Sequence, residues 1–479
     1  MEIKDLIDKP TELLKFIDTL LKPKEIEKKK FGEVFTPMKL VNEMLDKLPK
    51  EVWLNKDLKW LDPANGIGNY PFAIYFRLME SLKEIIPDVK ERKNHIWKNM
   101  IYMCEINNKN NDILKQIINL PNLYEGSFFD LDIKKLWNIE KFDVIVGNPP
   151  YQKENKKTTK ARGGIGGNYY IDFCKKSISI LKNDGYLLFI HPQNWRKIGS
   201  IIFNEYINRH ILYLAINYGG DFFKDVSVKT DYYVLQNTSK KIPSIIDSYY
   251  KKNKYTSKFI IDKSIKFIPN IFNEEINNLL KNVNHNGKEY ECKISSDCHK
   301  VRDHVQKGQN DKYKYPLFNT SANKFDYFSS KPHKDQNNKK VILSNSGSLS
   351  PFYDEGLYGT TQDSMYILVD NSKEGENIVN ILKTPIFRFL IEICKWGNFR
   401  NEVDLISYFK FPMISDYSDE SIIKSYKLDV SIISKIQKFE NLEQNNSDSD
   451  SYSSDDELNN ELNNKPEKVL PVLKKSNQI

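Results

Sequence analysis

Between residues 58 and 237, short apolar runs recur, each closed by turn residues and followed by a stretch of helical period. They are LKWLDP (58–63), IYMCEIN (101–107), LYEGSFF (123–129), FDVIVGNPP (142–150), GYLLFIHP (185–192), ILYLAINY (211–218) and TDYYVLQN (230–237). Their length and their β-branched and aromatic content predict strands. VNEMLDKLP and YYIDFCKKSISILK, lying between runs, predict helices. Strands alternating with helices predict an α/β domain with a parallel sheet over residues 31–240. Residues 1–30 read as a charged helical lead-in. Past 240 the rhythm breaks, and 241–440 reads as a second domain of α+β type with pieces such as KKVILSNS and DSMYILVD. The last stretch, 441–479, includes NNSDSDSYSSDDELNNELNN and has too few apolar residues to bury, so a disordered tail is expected there.

Composition narrows the classes. Hydrophobic residues at 39% and charged residues at 28% suit a water-soluble chain with a real core, and the length allows two or three domains. No apolar run is long enough to span a bilayer, and MEIKDLIDKP has no basic-then-apolar leader pattern, so a cytoplasmic or nuclear protein without a membrane partner is expected. Five cysteines, an odd and scattered set, do not form a disulfide framework. The formal charge is +8. Residues 446–479 hold seven acids and four bases, so the rest of the chain carries +11. A basic body and an acidic tail suit a polyanionic partner, although lysine-rich codon usage would give the same balance.

The first predicted strand runs into DPANGIGNYPF, with Asp62, Pro63, Ala64, Gly66 and Gly68 ahead of a helix. Glycines at such a turn let the backbone approach a ligand. The pattern is neither G-x-G-x-x-G nor a phosphate loop with Lys-Ser/Thr. An acid in the turn disfavours pyrophosphate and favours a ligand bearing an amine or other cation, such as S-adenosylmethionine. The same glycines would also serve a tight turn with no ligand. Glu105, at the end of the second strand, is placed to accept from a ribose diol.

The fourth strand ends in Asn148-Pro149-Pro150-Tyr151. Methylating the exocyclic amine of a base needs neutral acceptors for its protons, because the amine lone pair is delocalised into the ring. An asparagine side-chain oxygen and a proline carbonyl are such acceptors, and proline fixes their backbone. A tyrosine ring offers stacking for a base taken out of the helix.

These residues resemble the amino-methyltransferases, most closely the gamma-class DNA adenine-N6 methyltransferases of restriction-modification systems. The order of parts agrees: FGEVFTPMKLVNEML (31–45) with Phe35-Thr36-Pro37, the glycine turn, the acid, NPPY, and then a C-terminal region of the size of a target-recognition domain. The resemblance implies a Rossmann-like S-adenosylmethionine-dependent methyltransferase sheet. It implies cofactor contacts from Phe35, Thr36, Pro37, Asp62, Pro63, Ala64, Gly66, Gly68, Glu105 and Asn148, and catalysis by Asn148, Pro149, Pro150 and Tyr151. It implies a second aromatic against the base in DFFKDVSVKTDYYVLQN, with Phe223 the best match. Double-stranded DNA is the implied substrate, and a separate cognate restriction endonuclease the implied partner. In one place the chain departs: the family has an acid and an aromatic after the third strand, the acid binding the cofactor's adenine amine, whereas YEGSFFDLD puts Ser127 and Phe128 there as the implied cofactor contacts, with Asp130 a substitute from a shifted loop. An RNA or protein-glutamine methyltransferase would also carry NPPY. An inactive DNA-recognition subunit would fit the serine.

QKENKKTTKARGGIGGNYY (152–170) follows the tetrapeptide with bases including Lys157, Lys160 and Arg162, which suit phosphates or a solvated loop alike. Cys292, Cys298, His299 and His304 lie close together, but C-x5-C is outside zinc-site spacing and reads as free thiols and surface histidines; no metal is expected. Trp396, Phe399 and Arg400 either touch DNA or close the second domain's core.

Overall fold

Why a sheet forms here is plain in FDVIVG: Val144 and Val146 join one apolar cluster, while Ile145 joins the cluster on the other face. A strand covered on both faces must be apolar throughout rather than alternating. The computed structural model describes residues 12–13, 36–118, 121–151, 169–218, 229–285, 289–320, 325–397 and 400–444.

Among these residues the first sheet has nine strands: β1 (Trp60–Asp62), β2 (Ile101–Glu105), β3 (Leu123–Glu125), β4 (Phe142–Gly147), β5 (Leu181–Pro192), β6 (His210–Ile216), β7 (Thr230–Gln236), β8 (Ser244–Tyr250) and β9 (Asn253–Phe259). Their spatial order is β3-β2-β1-β4-β5-β7-β6-β8-β9. The chain builds outward from β1 to β3, then returns to place β4 on β1's other side. The ends of β1 and β4 therefore flank a topological switch point, where open α/β sheets bind ligands. Helices α1 (Met38–Leu45) and α2 (Asn69–Ser81) pack on one face, and α3 (Tyr169–Ser179) on the other.

Two features depart from the parallel sheet expected over 31–240. β7 runs antiparallel to both β5 and β6. Its residues are almost all buried, so its apolar pattern is the one a parallel strand would show. The sheet also continues past 240, through β8 and β9. These form a hairpin turning on Lys251 and Lys252, both with positive φ. Two consecutive positive-φ residues make the turn that matches strand twist, usually with asparagine or glycine; lysines there conceal it.

The region after β9 is α+β. One four-stranded sheet pairs Cys292–Ile294, Ser364–Leu368, Lys340–Ser344 and Phe352–Asp354, in that order. Another pairs Val305–Lys307, Tyr327–Ser329, Tyr315–Phe318 and Gly359–Thr360. Trp396 is 1% exposed, donates its indole N–H to the Ile268 carbonyl and lies edge-on to Phe267, which makes it a core residue. Cys292 and Cys298 are buried thiols, and His304 Nε2 bonds the Asp297 carbonyl. No cluster of three metal-ligating side chains occurs among the described residues.

A buried arginine ties the first sheet to this region. Arg196, just beyond β5, is fully buried with Asp231, its Nε 2.6 Å from Asp231 Oδ2. Its other nitrogens donate to the carbonyls of Ile268 and Pro269 and to the side-chain oxygens of Gln193, Asn217 and Asn270, at 2.9–3.1 Å.

Up to Val430 the chain forms one compact unit; a second begins at Ser431, described as the helix Ser431–Gln444. The remainder of the expected tail, 445–479, lies outside the described residues. No described helix is long and apolar enough to cross a membrane.

Candidate active site

Three strand ends and one helix start meet at the switch point. β1 delivers Asp62, which is 2% exposed. Its Oδ1 accepts the Ala64 N–H at 3.1 Å, while its buried Oδ2 has no hydrogen-bond partner among the described residues. Burial holds the Asp62 pKa well above the usual carboxylate range, the Ala64 bond opposes that, and the nearby Glu105 charge adds to the rise. Beyond it, Pro63 is buried, and Gly66 and Gly68 both have positive φ, the latter at 93° where α2 begins. A Cβ on Gly68 would lie 2.7 Å from Leu114, so the turn requires glycine for space as well as for conformation.

Glu105 latches this turn. Its Oε2 accepts the Gly66 N–H at 2.8 Å and its Oε1 the Asn107 N–H at 2.6 Å. The acid expected at the ribose position thus also fixes the glycine loop against the second strand. Each carboxylate oxygen accepts more than one hydrogen bond, so the latch is compatible with a diol.

β4 delivers the tetrapeptide. Gly147, at its last position, allows the approach of Asp62: a Cβ there would sit 3.0 Å from Asp62 Oδ1. Next comes Asn148, whose Nδ2 donates to Thr36 Oγ1 at 3.1 Å. Pro149 is buried and Pro150 half-buried. Tyr151 has a buried hydroxyl; burial pushes its pKa up, with the Asn148 side chain opposing. The Tyr151 carbonyl accepts the Tyr169 N–H at 2.9 Å, so the two ends of the basic segment meet beside the tetrapeptide.

Thr36 is 4% exposed, and its carbonyl accepts Asn69 Nδ2 at 2.7 Å; Pro37 caps α1. The structure therefore brings together Thr36, Asp62, Glu105, Asn148 and Tyr151 from segments far apart in sequence. Phe35, Phe223, Lys157, Lys160 and Arg162 lie outside the described residues. Ser127 and Phe128 lie just beyond β3, where the Ser127 hydroxyl accepts the Phe129 N–H as a helix cap. The Phe128 ring is 2% exposed, stacked on Phe173 at 5.3 Å, with the Lys176 ammonium 4.9 Å from its centroid. Asp130 is exposed.

Two residues of the site escape a sequence reading. Asn69, first in α2, has a buried Oδ1 without a hydrogen-bond partner among the described residues. Tyr70, the next residue, is 3% exposed and donates its hydroxyl to Met44 Sδ at 3.1 Å. Burial raises the Tyr70 pKa well above its ordinary value, the charge of Asp62 adds to this, and the neighbouring Thr36 side chain opposes it. In NYPFAIYF the tyrosine reads as core, and its position directly after the glycine turn was the available signal.

Parts of this chain are similar to known proteins. Residues 51–223 match the Eco57I restriction-modification methylase family. An uncharacterized adenine-specific methylase of Mycoplasma pneumoniae is 26% identical over 328 residues, covering 51% of this chain and 75% of that protein. The modification methylase CviBIII of Paramecium bursaria Chlorella virus NC1A is 41% identical over 88 residues, 17% of this chain and 22% of that enzyme. Among solved structures, the Type IIL restriction-modification enzyme MmeI in complex with DNA superposes with a TM-score of 0.54 at 10% identity, covering 87% of this chain and 76% of that one. The ATP-dependent Type ISP restriction-modification enzyme LlaBIII bound to DNA gives 0.52 at 14% identity, covering 88% and 41%. The resemblance to restriction-modification adenine methyltransferases and the α/β methyltransferase fold are borne out.

Proposed function

We propose that this chain, similar to restriction-modification adenine methyltransferases over 51–223 and in fold over most of its length, transfers a methyl group from S-adenosylmethionine to N6 of an adenine turned out of duplex DNA. What carries the reading is one convergence: the buried Asp62 carboxylate, with an unpartnered oxygen, beside the Asn148-Pro149-Pro150-Tyr151 turn. S-adenosylmethionine would supply a methyl group activated by a sulfonium. Asp62 Oδ2 suits its ammonium, Glu105 its ribose, and Thr36 and Pro37, preceded by Phe35, the remaining methionine contacts. Ser127 and Phe128 belong at its adenine end by resemblance.

Asn148 Oδ1 and the Pro149 carbonyl accept the two N6 protons, which holds the nitrogen so that its lone pair is directed at the donor. The Tyr151 ring stacks on the extruded base. The catalytic domain, expected over 31–240, takes in β8 and β9 up to Phe259, and the target-recognition domain lies beyond it, with Lys157, Lys160 and Arg162 on phosphates and Phe223 against the base. A separate endonuclease would complete a restriction-modification system. The test is transfer of a labelled methyl group by the full chain to mixed-sequence duplex DNA, with label expected on adenine N6. Label on RNA or protein glutamine, with duplex DNA blank, overturns the substrate.

Asp62→Asn separates cofactor binding from folding. In the protein without cofactor, Asp62 has a raised pKa, so its stabilising contribution is complete below the ordinary carboxylate pKa and lost as pH rises through the raised one. The ionised form is nevertheless the one that pairs with an ammonium. Cofactor affinity should therefore fall as pH is lowered through the raised pKa, with proton release on binding. Asparagine keeps an acceptor for the Ala64 N–H and removes the charge. Asp62→Asn should melt no lower than wild type at neutral pH, yet bind S-adenosylmethionine about tenfold more weakly, from loss of one charge-assisted hydrogen bond. Calorimetry in two buffers of different ionisation enthalpy reads both; wild-type affinity in Asp62→Asn counts against the assignment.

A further inference from the structure

A polar atom buried without a partner has lost its water and gained nothing, which destabilises the protein until a ligand completes it. Three side-chain oxygens at the glycine turn are in that condition among the described residues: Asp62 Oδ2, Asn65 Oδ1 and Asn69 Oδ1. None of the three residues is more than 5% exposed. An asparagine amide could escape by turning over, so the partner of its NH2 end decides which way it faces. Asn69 Nδ2 is 2.7 Å from the Thr36 carbonyl oxygen. A carbonyl oxygen only accepts, and the amide turned over would set two oxygens together at that distance. The NH2 end of Asn69 therefore faces Thr36, and its oxygen faces away from it.

A short path of contacts joins Asn69 to Asp62. Thr36, whose carbonyl Asn69 holds, takes the Asn148 amide on its hydroxyl at 3.1 Å. Gly147, the residue before Asn148, is where Asp62 comes closest: a Cβ there would sit 3.0 Å from Asp62 Oδ1. Asn65 is tied elsewhere. Its N–H bonds the Cys104 carbonyl of β2 at 3.1 Å, and its Nδ2 bonds the Gly66 carbonyl at 2.9 Å. An ammonium has three N–H donors and no acceptor. Asp62 offers it a charge and one acceptor; a neutral oxygen offers a second without setting another carboxylate beside a buried one. We infer that Asn69 is a specificity-determining residue of the cofactor site: its Oδ1 accepts from the ammonium that Asp62 pairs with, and so selects a ligand whose amino-acid end carries an amine. The same side chain fastens Thr36 to the start of α2.

This inference rests on the reading of Asp62 as the ammonium's partner. Its test uses the full chain with S-adenosylhomocysteine and with the analogue in which hydrogen replaces the amino group, binding being measured by calorimetry. Wild type should prefer the amine-bearing ligand about a hundredfold, about tenfold for each of two charge-assisted hydrogen bonds. Asn69→Ala should cut that preference to about tenfold. A shift of Thr36 weakens both ligands alike and cancels in the ratio. Asn69→Asp keeps an oxygen acceptor, so its preference should stay at or above the wild-type value, and it serves equally should the alanine variant not fold. Asn65→Ala should leave the preference within twofold of wild type. An unchanged preference in Asn69→Ala, a preference lost in Asn69→Asp, or one lost in Asn65→Ala instead, overturns the inference alone. Equal binding of the two ligands by wild type overturns the Asp62 assignment with it, and binding of neither overturns the cofactor.

Discussion

Replacing Asn148 with alanine is expected to lower kcat for methyl transfer to duplex DNA by about 10²–10³-fold, the effect of deleting one preorganised polar group that acts on the reacting atom. Alanine removes the acceptor for one N6 proton and the donor to Thr36, while Pro149 keeps its carbonyl. The Asp62 and Glu105 contacts to the glycine turn do not pass through Asn148. Cofactor affinity should therefore fall far less than kcat. Asn148→Asp tests the same point from the other side. It keeps an oxygen acceptor but places a carboxyl close to the buried Asp62, and it loses the N–H that Thr36 accepts. Partial activity above that of alanine is expected. Single-turnover transfer with saturating cofactor makes the measurement, and an alanine variant within threefold of wild type would sink the acceptor role.

The catalytic strands could be read because they are buried on both faces: an unbroken apolar run ending in Asp62, Glu105 or Asn148 is conspicuous against a lysine- and asparagine-rich background. Geometry that depends on pairing was less visible. β7 has the same apolar signature whether its neighbours are parallel or antiparallel. The β8–β9 hairpin turns on two lysines where a turn-forming glycine or asparagine would have announced it. Side-chain partnerships were hidden altogether. Thr36 could be matched to a motif, but not its bond to Asn148, which depends on two rotamers brought together by separate elements. Met44 and Tyr70 occupy ordinary apolar positions on α1 and α2, and nothing in their spacing distinguishes a sulfur that packs from one that accepts. Ser127 departs from the family pattern, and its role as a helix cap depends on a side-chain bond to the Phe129 N–H that the sequence does not display.

Arg196 makes the strongest case for structure over sequence, since an arginine in PQNWRK reads as a surface base. Fully buried, it faces Asp231 and five further oxygens drawn from the end of β5, the end of β6 and the 268–270 segment. Asp231 in turn accepts from Trp195 Nε1 at 2.8 Å and from the Asn217 N–H at 2.9 Å. Asn217 and Asp231 flank residues 219–228, the stretch containing Phe223. Methionine at 196 would fill much of the volume but leave the buried Asp231 carboxylate without its counter-charge and five carbonyl or amide oxygens without this donor. A broken buried pair costs about 3–5 kcal/mol, and Arg196→Met should lose that much in urea unfolding. Asp231→Asn added to it removes the stranded charge and keeps an acceptor, so the double variant should be more stable than Arg196→Met alone. That reversal of sign is the diagnostic outcome: a residue that merely packed would make the second substitution a further loss. Because the arginine spans the sheet and the region beyond β9, the single variant should also weaken DNA binding by the full chain at temperatures where it remains folded. Unchanged stability in Arg196→Met would mean that the six contacts are individually replaceable by water, and the hub would then have no claim to join the two regions.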